Sequence, residues 1–295
     1  MIKKILYHPR AKKILSSILG RNLYIKLASL SNSVIFIFFK KMVFDLGIAF
    51  TFKSLPTYVA LEINAYCNRK CVYCPNYKYG QRSDNNSIMS ESVFYKVINE
   101  LARLQYHRTV YYHLYNEPLT DKRLPGFVEY TRLKLPKTTI DIYTNGDYLD
   151  YSLYSLLINK GVDRFLIAIH GENASPKLLE ALNKLSEKEK KAYIILKNTY
   201  DDYRNKKDIF FNRGGSINIS ERVSDSKPCE YVLSCNIDYK GNVILCCNDY
   251  FGKYIFGNVK EQPLHDIWFN KEYMILRNRI ALGYRELPIC KKCDI

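Results

Sequence analysis

The sequence predicts an α/β protein: a partial (β/α)6 barrel over residues 56–224, with a basic helical extension over 1–55 before it and a small cysteine-rich domain over 225–295 after it. Three observations lead there. From Pro56 onward, strand-like and helix-like runs alternate strictly, which implies parallel strands joined by helical crossovers. About six such units fit the stretch, too few for a closed eight-fold barrel. Seven of the nine cysteines fall in tight groups (67/71/74, 246/247, 290/293), as metal ligands do in a reducing compartment and as a disulfide framework does not.

A chain of 295 residues with 47% hydrophobic content can bury a full core. Its net charge of +16 favours acidic partners, and the charge is unevenly spread. Residues 1–55 hold ten Lys and Arg against one acid, Asp45, a net of +9. Leu15, Ile18, Leu23, Leu27 and Leu30 give this segment amphipathic helical character. Such a segment either lies on an anionic membrane surface or packs as a helical extension on the domain that follows. Lys40, Lys41 and Asp45 interrupt its apolar runs, so no 18-residue spanning stretch is expected, nor a signal peptide. A cytoplasmic protein is expected, with peripheral membrane contact through 1–55 as the alternative.

Residues 57–64 read as the first strand, with Tyr58, Ala60 and Glu62 on one face and Val59, Leu61 and Ile63 on the other. Ser90 caps a helix lined by Val93, Val97, Leu101 and Leu104. Further strands are expected at 109–115, 139–144, 164–169, 192–197 and 209–211. Helices are expected at 124–135, at 153–160, where Gly161 closes the helix, and at 176–191. Loops after parallel strands gather at the carboxyl end of a barrel, where active sites sit. The polar and glycine-rich tripeptides fall there: Asn116-Glu117-Pro118, Thr144-Asn145-Gly146, His170-Gly171-Glu172 and, after Arg213, Gly214-Gly215.

Directly after the first strand come Cys67, Cys71 and Cys74 at C-x3-C-x2-C spacing. Three thiolates leave one metal corner without a protein ligand, where chemistry can occur. A structural zinc site completed by His107 or His113 is the plainer alternative.

In this spacing, in the aromatic Tyr73 before the third cysteine and in the preceding strand, the chain resembles the radical S-adenosylmethionine superfamily. The resemblance implies a partial barrel of the radical SAM type. It also implies a 4Fe-4S cluster on Cys67, Cys71 and Cys74 that binds S-adenosylmethionine through its open iron. Asn116-Glu117-Pro118 resembles the family's Gly-Gly-Glu-Pro motif, which would set Glu117 against the cofactor's amino group. Tyr115 and Asn116 stand where the family usually has glycines. Thr144-Asn145-Gly146 looks like the ribose loop, and Tyr73 like the residue beside the adenine. His170 and Arg213 are substrate candidates, the arginine for a carboxylate or phosphate.

Cys229, then Gly241-x4-Cys246, then Cys290-x2-Cys293 resemble the SPASM auxiliary-cluster module and more closely its shortened twitch form. Gly257-Asn258-Val259 and His265-Asp266-Ile267-Trp268 also look like that module. Cys229, Cys246, Cys290 and Cys293 would saturate one auxiliary 4Fe-4S cluster, which then passes electrons or holds the fold together. Cys246 and Cys247 are adjacent in a strand-like stretch, 242–247, so their side chains are expected on opposite faces. In epimerases of similar layout a free thiol returns a hydrogen atom to the substrate radical, and Cys247 is the candidate for that role. Cys235 is a ligand or a core residue.

The family likeness implies dehydrogenation of a sugar or cyclitol, fed by a flavodoxin-like or ferredoxin-like electron donor. Epimerisation of a sugar or peptide is the alternative chemistry. The alternative of another class is a non-catalytic zinc module on membrane or nucleic acid. Nucleic acid is disfavoured because the 26 tyrosines spread through strands and helices instead of forming one stacking platform.

Overall fold

The computed structural model describes residues 54–80, 87–205, 212–218 and 228–294. The basic extension, up to residue 53, and the sixth strand expected at 209–211 lie outside them. Among the described residues no helix is long and apolar enough to cross a membrane.

Five parallel strands form the frame: β1 (Tyr58–Leu61), β2 (Thr109–Tyr111), β3 (Thr139–Thr144), β4 (Arg164–Ile169) and β5 (Ile194–Asn198). On the far side of β1 the C-terminal region adds β6 (Cys235–Ile237) in parallel, then β7 (Asn242–Ile244) and β8 (Ile255–Asn258) antiparallel. The result is one open eight-stranded sheet, in the order β5-β4-β3-β2-β1-β6-β7-β8.

Alternation along each strand separates two faces. Val59, Leu61, Val110, Ile140, Ile142, Phe165 and Ile167 are buried under α2 (Glu91–Arg103), α3 (Leu124–Lys134) and α4 (Tyr151–Lys160), α1 being the short helix Pro75–Tyr79. Phe94 and Phe127 stack at 4.0 Å in that layer. Each such fully buried side chain contributes roughly 1.5–3 kcal/mol, so this face holds the sheet together. The opposite face carries Ala60, Tyr111, Asp141 and Arg164 in register. Asp141 is 1% exposed and paired with Arg164 through two hydrogen bonds of 3.0 and 2.7 Å. A polar, aromatic face of this kind is where a ligand can lie.

Several elements end earlier than the sequence predicts, and in each case a side chain takes over the backbone's hydrogen bonds. The second strand stops at Tyr111 rather than 115 because Asn116 folds back, accepting from Leu114 N and donating to Tyr112 O. The helix expected over 176–191 is two, α5 (Pro176–Lys184) and α6 (Glu187–Tyr193). A capping box between Ser186 and Glu189 restarts it, which delays β5 to Ile194. Gly161 closes α4 in the left-handed region (φ 111°) as predicted; a Cβ there would meet Arg132 at 2.8 Å. The strand expected over 242–247 ends at Ile244, because the Asp249 carboxylate accepts from Lys253 N and Tyr254 N and curls residues 246–252 into a turn. Cys246 and Cys247 therefore do not stand on opposite faces of a strand.

Candidate active site

Cys67 follows β1, and Cys74 caps α1, whose first residue is Pro75. Between the cysteines the loop is clasped to the one after β3. Arg69 holds the Asp147 carboxylate with two donors at 2.6 and 2.5 Å, Asn68 donates to Asp147 at 2.7 Å, and Asn145 donates to Asn68 at 2.8 Å. A bidentate, half-buried pair of this kind fixes orientation as well as contributing energy. Burial pushes the Cys67 thiol up to about 12 and Cys71 to about 11, so the loop without metal holds protonated thiols and loading a cluster releases protons. With the clasp cut in Asp147→Ala, the first site is expected to lose iron, total iron falling from about eight toward about four per chain. Iron analysis with Mössbauer spectra of the purified protein checks this.

Glu117 is the hub of the post-strand loops. Its backbone N–H donates to Tyr66 O at 2.8 Å, beside Cys67. Its carboxylate, 2% exposed, accepts from Thr144 Oγ1 at 2.6 Å, Asn145 N at 2.7 Å and Leu119 N at 3.1 Å. Burial pushes its pKa up to about 7 against those donors. The Glu117 and Thr144-Asn145-Gly146 motifs are thus one hydrogen-bonded unit. Gly146 has φ +79°, and a Cβ there would lie 2.7 Å from Leu178, so only glycine fits. Asn116 spends both its oxygen and its nitrogen on its own loop, leaving its backbone for any ligand.

Tyr115, at a position where the family pattern has glycine, is a strut. Its hydroxyl donates to Cys247 O at 2.5 Å and its ring stands edge-on to Tyr250, tying the barrel loops to the second cysteine group. His170 is bonded through Nδ1 to the Tyr73 hydroxyl at 2.7 Å. Burial, with Arg69 nearby, lowers it to about 4 and keeps it neutral. The structure therefore sets this substrate candidate against the first cysteine loop.

Arg213 takes the left-handed conformation (φ 50°) in a loop held from two sides. Lys78 and the Tyr79 hydroxyl, both on α1, each donate to Ser216 O at 2.9 Å, and Asn212 bonds Asp294 and Lys292 O at the C-terminus. Gly214 packs so tightly on Ile289 that a Cβ would lie 2.5 Å from it. The guanidinium donates to Asn248 Oδ1 at 3.5 Å and lies within electrostatic reach of Tyr115, Cys247 and Cys74. Cys247 is half-buried, raised to about 11 by burial, and looks toward Arg213 and the Tyr58 hydroxyl.

Cys229, Cys246, Cys290 and Cys293 line one small cavity, the last two carried by α10 (Pro288–Lys292) and its end; α7 (Thr199–Arg204), α8 (Leu264–Trp268) and α9 (Lys271–Ala281) precede it. Cys247 does not line it. Backbone N–H groups of Tyr231 and Val232 are directed at the Cys229 sulfur and that of Asn248 at Cys246, with Arg285 on the cavity wall. Four thiols met by N–H donors and a cation fit a thiolate-ligated cluster, which carries negative charge. Cys235 is fully buried in the main core beside Arg277, which settles it as a packing residue. His107 is exposed and bonded to Gln105 O, and His113 stacks on Tyr143 at 4.6 Å. Among the described residues, no three His, Cys, Asp or Glu side chains converge as ligands of a single metal ion.

Sequence reasoning missed the floor of the site: Tyr58, Tyr111, Tyr143 and His113, whose rings lie 4.6–6.1 Å apart in successive pairs. Its signal was present as polar and aromatic residues at every second position of 111–115 and 141–145, and at Tyr58 and Glu62 on either side of Ala60.

A family model described as "Radical SAM superfamily" matches residues 61–199, and one described as "SPASM: Iron-sulfur cluster-binding domain" matches 229–294. Among similar proteins is an S-adenosyl-L-methionine-dependent 2-deoxy-scyllo-inosamine dehydrogenase of Niallia circulans, 29% identical over 239 residues, which are 80% of this chain and 92% of that protein. Among solved structures, BtrN in complex with AdoMet and 2-DOIA is similar with TM-score 0.73 and 27% identity, over 82% of this chain and 94% of that one. The structure of anSMEcpe with bound AdoMet, at 13% identity, TM-score 0.52, and 77% and 80% coverage, shares the fold.

Proposed function

The chain belongs to the radical S-adenosylmethionine superfamily with a SPASM-type auxiliary iron-sulfur domain, and from that premise we propose that it dehydrogenates a hydroxyl-bearing carbon of an aminocyclitol. The observation that carries this reading is the four-thiol cavity. It saturates a second cluster, leaving that cluster no corner for substrate and making it an electron acceptor. The 2-deoxy-scyllo-inosamine dehydrogenase of Niallia circulans supplies the substrate class.

When bound, S-adenosylmethionine and the first cluster supply a 5'-deoxyadenosyl radical that takes hydrogen from carbon, and the second cluster takes up the remaining electron. The protein's own residues position and shield. Cys67, Cys71 and Cys74 would hold the first cluster, and Glu117, which keeps Thr144 and Asn145 in place, would receive the cofactor's ammonium. Tyr73, steadied by His170, would meet the adenine. The Arg213 cation stabilises a substrate oxygen as its proton leaves. His113, lowered to about 4 by burial, is neutral, and its Nδ1 has no partner among the described residues, so it can accept from a substrate hydroxyl or ammonium. A flavodoxin-like or ferredoxin-like protein of the cytoplasm supplies the first electron, and residues 1–55 are the place for any membrane contact.

Epimerisation is favoured by one observation, the Cys247 thiol lying outside the cavity and facing Arg213. Reduced protein incubated anaerobically with S-adenosylmethionine and 2-deoxy-scyllo-inosamine is expected to give a product two hydrogens lighter, and Cys247→Ala to retain that reaction. In heavy water, a product with the substrate's composition but one carbon-bound solvent deuterium in place of a hydrogen, lost in Cys247→Ala, would establish the epimerase instead.

A further inference from the structure

Asn248 touches both cysteine groups' surroundings through one buried side chain, 3% exposed. Its backbone N–H is directed at the Cys246 sulfur, and its side-chain nitrogen donates to the Cys293 sulfur at 3.6 Å. Its side-chain oxygen accepts from Arg213 Nη1 at 3.5 Å. The amide's orientation is forced, because turning it over would set N–H against a guanidinium and oxygen against sulfur. Oxygen toward the cation and N–H toward the thiol polarise in the same sense, so each contact strengthens the other.

From this arrangement we infer that Asn248 is a positioning residue that raises the reduction potential of the second cluster and couples it to Arg213. Hydrogen bonds to ligating sulfurs stabilise the more negative, reduced state of an iron-sulfur cluster. The substrate-facing arginine and a ligand of the electron acceptor are thus joined by a single side chain. A substrate oxygen that engages Arg213 changes what the amide feels, and through it the ease with which the acceptor takes an electron. The inference rests on the second cluster being present, as the proposed function requires, but not on which product forms.

Potentiometric titration followed by electron paramagnetic resonance tests it, in the whole protein with both clusters and without substrate. Asn248→Leu keeps the backbone N–H and removes both side-chain contacts. It is expected to retain its iron and to disfavour the reduced second cluster about tenfold, ~59 mV to the negative for one electron, while the first cluster's potential stays put. Arg213→Gln, which leaves the cavity wall intact, is expected to shift the same potential in the same direction by less, and serves alone if Asn248→Leu loses its cluster. An unshifted second potential in a variant with full iron overturns the inference. Product mass, measured separately, decides the dehydrogenase reading.

Discussion

Glu117→Gln is expected to weaken S-adenosylmethionine binding by about 10²–10⁴-fold, the ~3–5 kcal/mol cost of removing one partner from a buried charged pair. The substitution keeps the volume, and its oxygen can still accept from Thr144 Oγ1 and Leu119 N, but its NH2 group then faces the Asn145 N–H in place of a carboxylate oxygen. Equilibrium binding to the reconstituted protein measures it, and unchanged iron shows that the first cluster survives. A pH dependence accompanies it. Burial raises the Glu117 pKa to about 7. Between its unfolded value near 4.5 and 7, the folded chain holds a proton that the unfolded chain has lost, so stability without ligand falls as pH rises through that window. An ammonium ligand needs the carboxylate, so affinity rises with pH up to about 7 and levels off above it. In Glu117→Gln both slopes flatten.

The two cysteine groups are expected to separate cleanly by mutation. Cys67→Ala removes one of the three cysteines of the C-x3-C-x2-C loop, and all formation of 5'-deoxyadenosine is expected to cease, with about four irons left per chain. Cys290→Ala opens the four-thiol cavity. Its protein is expected to lose about four irons from the other site and still cleave S-adenosylmethionine, while the oxidised product falls by at least tenfold. Iron analysis with chromatography of 5'-deoxyadenosine and product distinguishes the two. Equal loss of both reactions in Cys290→Ala would mean that the second site only supports the fold.

What the sequence made legible was whatever depends on local order. The C-x3-C-x2-C loop after β1 and the helix closed by Gly161 follow from short-range spacing, whereas the grouping of Cys229, Cys246, Cys290 and Cys293 was expected from the family resemblance, and the structure lines one cavity with all four. Side chains that replace backbone partners were harder to see. The Ser186–Glu189 capping box was readable as Ser-x-x-Glu, but Asn116 and Asp249 end their elements through contacts no periodicity announces. Long-range partners were not legible at all. Arg69 meets Asp147 across 78 positions and Tyr115 meets Cys247 across 132, and nothing in either local pattern names the other residue. The same holds for β6, whose residues lie far along the chain yet pair with β1.

Isotope tracing decides most directly whether this fold runs a dehydrogenation. Reduced protein is given S-adenosylmethionine and an aminocyclitol deuterated at the carbon to be oxidised, in ordinary water. Deuterium should appear in 5'-deoxyadenosine in equal amount to a ketone product that has lost it. Return of the cyclitol at its protonated mass, with a solvent hydrogen in place of the deuterium and no ketone, would contradict the account.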